Sequence, residues 1–529
     1  MNFKEYDIIF RNLKIVDGTG NPTFYGDIAI SDDTIVKVGK VLDKAKEEYD
    51  CEGLTAAPGF IDIHNHSDIS ILTQPFAKNY VFQGVTTLVV GNCGESGAPI
   101  AENNTSLFLA ENLDRNKCNF ETFDEYLEVL ENSSKSVNIA TLIGHGNIRS
   151  AVIGMENKKP SKGDLEEMKK LVKEAMESGA FGLSTGLIYD PGVFADREEI
   201  IELAKVVAEY DGIYNTHMRN ESDLLIESLF ESIDIGRRSG ARVQVSHLKA
   251  SGKRNFGLAK TALDLMEYYR RFGVEVTCDV YPSTFGNTGL QNCLPPWTRE
   301  KGKDEFLKIL KDSDKRLRIV NELSRPSVEW ENILLDAGFD ETIVSNSVNL
   351  SEYEGKSITE ISKLLGINPY ETIFHILLND PDTFIIVGGM SENDVQYILS
   401  HDLSMVCSDG LIVEFGKDIP HPRNYMAFTK VLSKYVRDEN ILSLERAISK
   451  MTNLPAWKLG LGDRGIIKPG FKADLAIFDL WKVDTKAKYG EPHHYSEGME
   501  YVVVNGKIVL RDGNVTGEMP GILLRKDCK

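Results

Sequence analysis

The chain has no CxxC pair and no even cysteine framework. Its seven cysteines, Cys51, Cys93, Cys118, Cys278, Cys293, Cys407 and Cys528, are scattered. A disulfide-stapled secreted domain is therefore not expected, and a reducing, cytoplasmic setting is. The chain also lacks basic excess. Lys plus Arg number 60 against 80 Asp plus Glu, a formal net charge of −20. A nucleic-acid partner would need a basic face to neutralise phosphates, so none is expected, and the acidity is read as solubility. No apolar run approaches the ~18 residues of a membrane span. The opening MNFKEYDIIF has acidic residues and no apolar leader core, so neither a membrane partner nor a signal segment is expected. No fixed-period repeat or low-complexity stretch stands out.

What is present is globular: 529 residues, 42% hydrophobic and 26% charged, enough to bury a large core. Both ends read as short alternating strands between Gly and Asp turns, such as YDIIFRNLKIVDG near the start and MEYVVVNGKIVL near the end. They are expected to form one small β domain, residues 1–57 with 461–529. The middle, residues 58–460, alternates short apolar runs with amphipathic helical stretches such as GDLEEMKKLVKEAMESG. Gly179, Gly212, Gly240 and Gly273 precede strands as helix C-cap signals. Such alternation predicts a parallel sheet covered on both faces, and eight units make a (β/α)8 barrel. Nine candidate runs are present, one too many. A stretch of about 285–382 fits no single unit and reads as an insertion after barrel strand 7, and the run at 383–389 fits either a barrel strand or the insertion.

Polar groups gather where the runs end. GFIDI is followed by His64-Asn65-His66, VTTLVVG by Cys93, NIATLIG by His145; other runs end at His217, His247, Tyr281 and Asp409. In a barrel these ends share the face on which active sites are built. His64 and His66 are two apart, so on an extended segment both imidazoles reach one ion. A lone strand-end histidine is more often structural; His217 and His247 together with HxH reverse that balance. Cys93 lies in the polar, glycine-rich GNCG, and a thiolate beside imidazoles favours zinc. Asp409 in CSDG can bind metal, handle protons, or serve only as a turn residue. Lys249, two residues past His247, can face the same pocket, and Arg423 in HPRNY is a second cation.

These motifs resemble the amidohydrolase superfamily through APGFIDIHNHSD (57–68), His217, His247, Asp409 and GDRGIIKPGFKADLAIFD (462–479). GVTTLVVGNCGESGAP (84–99), GLSTGLIYDPG (182–192), NTHMRNE (215–221), QVSHLKASG (244–252), LPPW (294–297) and HPRNYMAFTKVLSKYVR (421–437) narrow the likeness to the N-acyl-D-amino-acid deacylases, or D-aminoacylases. The resemblance implies an α/β protein with a (β/α)8 TIM-like barrel, a small β domain from both termini and an insertion able to cover the site. It implies zinc-dependent hydrolysis of an N-acyl-D-amino acid, a small-molecule substrate, to a carboxylate and a free D-amino acid. One tight zinc is implied at Cys93, His217 and His247, and a second, weaker site at His64 and His66 with Cys93. Asp409 matches the catalytic aspartate, Lys249 and Arg423 the carboxylate binders, and Tyr189 and Tyr281 the active-site tyrosines. Asn287 stands where relatives carry a serine, which puts pocket details in question. His145 has no assigned role, and oligomeric state stays open. The rival readings are a cyclic amidase of the hydantoinase or dihydroorotase kind, a D-dipeptidase, and a non-catalytic scaffold, which the full ligand set disfavours.

Overall fold

The computed structural model describes residues 5–100 and 120–527. Eight short strands of almost wholly buried residues follow one another: Phe60–Asp62, Val85–Val90, Asn138–Thr141, Gly182–Gly186, Ile213–His217, Arg242–Val245, Val276–Val280 and Ser404–Val406. The neighbouring pairs are parallel. The third strand runs on through Leu142 into Ile143–Gly144, which pairs with Leu183–Ser184 of the fourth. The ring closes just beyond the first and last strands, where His66 N–H donates to Gly410 O at 2.8 Å and Asp409 N–H to His64 O at 3.0 Å. The fold is a (β/α)8 barrel, and its closing seam runs through the residues flagged for chemistry.

The connecting helices carry the expected signals. Lys162–Glu177 starts with a capping box between Ser161 and Asp164 and buries Met168, Val172, Ala175 and Met176 on one face. Of the four C-cap glycines, Gly179, Gly240 and Gly273 are left-handed, but Gly212 is not; there Asp211 takes that backbone, with φ 53°. Gly212 answers a packing demand instead, since a Cβ on it would lie 2.7 Å from Val207 Cγ1. No helix among the described residues is long and apolar enough to cross a membrane.

The surplus ninth run has a clear home. Phe384–Val387 is the middle strand of a small antiparallel sheet, between Gly286–Gly289 and Thr342–Asn346. It belongs to the insertion, which therefore reaches past the expected 382. With the helices Lys303–Lys311, Ser313–Leu323, Ile358–Leu365 and Pro369–Asn379 this sheet closes its own core around Phe306, Ile319, Ile373 and Phe374. Each such buried side chain contributes about 2 kcal/mol, so the insertion is a packed body rather than a loose loop.

The termini share one nine-stranded sheet. Its junction is the antiparallel pairing of Thr55–Pro58 with Leu475–Phe478, in which Ala57 faces Ala476. Ile8, Phe10, Ile28, Ile30, Leu475, Ile477 and Val503 fill its core. On these memberships we propose the division drawn from the sequence, 1–57 with 461–529 as the small β domain and 58–460 as the barrel unit. Cys51, Cys93, Cys278, Cys293 and Cys407 are free and buried, while Cys118 and Cys528 lie outside the described residues.

Candidate active site

The cavity at the carboxyl ends of the barrel strands is lined by His66, Cys93, Tyr189, His217, His247, Lys249, Tyr281, Asp409 and Arg423. His64 sits directly beneath, fully buried. All ten residues given a metal, catalytic or substrate role from the sequence are thus brought together. Three of them, Cys93 (φ 52°), His247 (φ 34°) and Asp409 (φ 48°), sit on left-handed backbone. Such strain costs on the order of 1–3 kcal/mol per residue and turns each side chain inward past its strand end. At Cys93 the surrounding loop allows it: Gly91 packs so tightly that a Cβ would lie 2.1 Å from Leu142 O.

The Cys93 sulfur is the hub. His64 Nε2 lies 3.3 Å from Sγ, His247 Nε2 3.5 Å and His217 Nδ1 3.9 Å. Each imidazole turns its other nitrogen toward a carboxylate. His64 Nδ1 is 3.4 Å from Asp279 Oδ1, His217 Nε2 is 3.5 Å from Glu221 Oε2, and His247 Nδ1 is 3.0 Å from Glu221 Oε1. Metal-ligating histidines are oriented in this way, the outer carboxylate fixing the tautomer and raising ligand basicity. Two further donors complete the cluster: His66 Nε2 is 3.2 Å and His64 Nε2 3.5 Å from Asp409 Oδ1. The soft sulfur, the imidazoles and their outer carboxylates fit zinc, and donors close enough to share an ion fall into three overlapping groups: His64, Cys93 and His247; His64, His66 and Asp409; His217, Glu221 and His247.

Electrostatics follow from burial and neighbours. Burial pushes the Cys93 thiol up, but the charge of His64 and the hydrogen bonds of His217 and His247 outweigh it and hold the thiol well below its ordinary range. For Asp409 burial is likewise overcome, by Arg423 first, then His247 and His66, so its carboxyl stays well below the usual carboxylate range. Glu221 is held down to about 2 against burial by Lys249, His217 and His247.

Asp279 and Glu221 were not singled out in the sequence, although both carried signals. Glu221 closes NTHMRNE four residues after His217, and Asp279 is an acid inside the apolar strand Val276–Val280. A buried acid in such a run demands a partner. Asp279 has three: besides His64, it accepts from His247 N–H at 2.7 Å and from Gln244 Nε2 at 2.7 Å. Asp62 does similar structural work. It accepts from Ser408 N–H and Asn65 Nδ2, both at 2.9 Å, tying the first and last strand ends.

Lys249 Nζ sits 2.6 Å from Glu221 Oε2, and Arg423 Nη1 2.8 Å from Asp409 Oδ2. Both cations also approach the ring of Tyr281, at 5.8 and 4.7 Å from its centroid. The Tyr189 ring packs edge-on against His217, with centroids 5.0 Å apart. Asn287 lines the cavity but donates its amide to Ser345 Oγ at 3.2 Å and Ile385 O at 3.0 Å, so it braces the insertion sheet. His145 stands apart. Its Nε2 is 2.8 Å from Glu199, which also pairs with the buried Arg149 at 2.7 Å. That buried network accounts for a strand-end histidine outside the cavity wall.

A (β/α)8 barrel with thiolate and imidazole donors gathered at its strand ends is the architecture of a metal-dependent hydrolase. Residues 47–223 and 349–510 match the Amidohydrolase family, and the chain belongs to it. Within that superfamily it belongs to the N-acyl-D-amino-acid deacylase, or D-aminoacylase, family. It is 32% identical over 522 residues to a D-aminoacylase of Alcaligenes xylosoxydans xylosoxydans, covering 98% of each chain. It is 33% identical to an N-acyl-D-aspartate deacylase of the same organism, covering 98% of this chain and 95% of the other. Its structure is similar to that of an N-acyl-D-glutamate deacylase of Bordetella bronchiseptica solved with zinc and a phosphonate mimic of the tetrahedral intermediate. That match has a TM-score of 0.85 at 31% identity and covers 99% of this chain and 100% of the other.

Proposed function

We propose that this protein is a zinc-dependent amidohydrolase that cleaves the amide bond of N-acyl-D-amino acids, releasing a carboxylate and a free D-amino acid. The observation that carries this reading is the sulfur of Cys93 ringed by three imidazoles, each backed by a carboxylate. Cys93, His217 and His247 would hold the tight zinc; His64 and His66, with Cys93, would hold a weaker second ion. Zinc held there supplies Lewis acidity toward the acyl carbonyl and makes water more acidic.

The protein's own residues perform the rest. Asp409 faces the cluster as an ionised carboxylate and takes the proton from the attacking water as the C–O bond forms. When the C–N bond breaks, Asp409 returns that proton to the leaving amine. Tyr189 and Tyr281, both on the cavity wall, would donate to the developing oxyanion. Lys249 and Arg423 hold the α-carboxylate. With the scissile carbonyl and that carboxylate both fixed, the walls of the cavity decide between mirror-image side chains, which selects the D enantiomer.

Two cations beside the donor cluster favour an acyclic substrate, because a hydantoin ring has no free α-carboxylate for them to bind. A panel of N-acetyl-D-amino acids, their L enantiomers and matched hydantoins tests the reading. Hydrolysis of the D compounds alone supports it; hydrolysis of the hydantoins alone overturns it.

A further inference from the structure

The cavity wall carries a charge asymmetry that the reaction does not use. The insertion contributes Asn287, Thr288, Glu331, Ile333, Asp336 and Val387 to that wall, and both charged members are acids. Asp336 is matched by Arg254, whose Nη2 lies 2.7 Å from Oδ1. Glu331 is not matched. Its Oε2 accepts the backbone N–H of Glu221 at 2.8 Å, and among the described residues no Lys or Arg forms an ion pair with it. Lys249 forms its ion pair with Glu221, at 2.6 Å, and acts on Glu331 only through space.

A buried carboxyl without a cation is costly, and the cost is recovered when a cation arrives. Here Glu221 and Asp336 add like charge nearby. Burial, with Glu221 contributing and Lys249 opposing, pushes the Glu331 carboxyl up to about 8, so near neutral pH it keeps a proton that a ligand cation would displace. A ligand ammonium would relieve all three effects, whereas a ligand carboxylate would place another negative charge against them.

We infer that Glu331 is a specificity-determining residue, and that the cavity prefers N-acyl-D-amino acids bearing a cationic group, an ammonium or guanidinium, over neutral isosteres and over D-aspartate or D-glutamate derivatives. The inference rests on the deacylase reading above. It also separates this chain from its relatives named for the acidic D-amino acids, because the insertion's share of the wall holds no cation. The cation comes from one of two places, the amino-acid side chain or the free amine of an aminoacyl group.

The test is kcat/KM of the zinc-loaded protein on N-acetyl-D-lysine, N-acetyl-D-norleucine, N-acetyl-D-glutamate and glycyl-D-norleucine. One of the two cationic compounds should exceed N-acetyl-D-norleucine by about tenfold or more, and the glutamate derivative should fall below it. Preference for N-acetyl-D-lysine places the cation on the side chain, and preference for glycyl-D-norleucine places it on the acyl group. In Glu331→Gln the ratio of the preferred compound to N-acetyl-D-norleucine should collapse toward one. If the neutral or acidic compound matches the cationic ones in the unaltered protein, the inference fails, and this comparison needs no variant to fold. It also fails if Glu331→Gln slows every substrate by one common factor, which would make Glu331 only a tether for the Glu221 backbone. Hydrolysis of none of the four would instead overturn the deacylase reading itself.

Discussion

Arg423 and Asp409 form a buried ion pair, Nη1 to Oδ2 at 2.8 Å, with side-chain exposures of 5% and 10%. The two residues given separate tasks, one for the substrate carboxylate and one for the proton, therefore share charge. On the proposed roles, an incoming α-carboxylate would compete for the guanidinium, and drawing that positive charge away would make Asp409 a stronger base at the moment water must be deprotonated. Arg423→Met removes the anchor and releases Asp409 together: KM should rise, kcat/KM should fall about 100-fold, the scale of a lost buried charge partner, and the acid limb of the kcat–pH profile should move to higher pH, because Arg423 is what chiefly holds the Asp409 carboxyl down. Steady-state kinetics check this; a change in KM alone would leave Arg423 a simple anchor.

Asp409→Asn keeps the shape of the side chain and removes its basicity. The variant should bind zinc as the parent does and lose kcat by about 100-fold or more, the usual range of a positioned general base. Metal analysis alongside single-turnover hydrolysis separates the two effects. Normal turnover with full zinc would remove Asp409 from the chemistry.

Glu221 backs both His217 and His247 and also carries Lys249. Glu221→Gln should weaken zinc binding by about 10- to 100-fold, the usual consequence of losing an outer carboxylate. Competition against a chromophoric chelator measures it. Unchanged affinity would show that the carboxylate does not act through the imidazoles.

At the other end of the barrel, Lys458 is fully buried, donating to Val243 O at 2.9 Å and to Glu275 Oε1 at 3.1 Å. Burial pushes its pKa down to about 7 despite Glu275, against an ordinary value of 10.5. Between those two values the unfolded chain binds a proton that the folded chain does not. Stability contributed by this group therefore rises with pH from about 7 to 10.5, and below pH 7 the full cost of a buried charge is present. Lys458→Met should flatten that slope. Thermal melting of both proteins across the window, compared as a difference, checks the sign.

The barrel and its site were legible in the sequence because most strand ends carry a chemically distinctive residue and the strands are short, buried runs. HxH, GNCG, the two later histidines and CSDG mark five of the eight ends, and the structure gathers them around one sulfur. The insertion was legible only as an irregularity. Phe384–Val387 is as apolar as a barrel strand, and nothing local reveals that its partners run antiparallel. The same limit hid Glu331. It lies in a charged stretch, VEWEN, where an acid ordinarily faces solvent; only the packing of the insertion over the barrel mouth turns it into the cavity. Asp279 and Glu221 escaped notice for another reason: their meaning lies in the far nitrogens of His64, His217 and His247, which spacing along the chain does not specify.

Zinc dependence and D selectivity are tested together by one titration. Chelator-stripped protein is reloaded with measured zinc, and hydrolysis of N-acetyl-D-norleucine and its L enantiomer is followed at each step. The expected result is no activity without zinc, a rise in D-selective hydrolysis that is complete near one zinc per chain, and D preferred over L by about 100-fold or more. Activity that survives full removal of zinc, or a fully loaded protein that cleaves neither enantiomer, would contradict it.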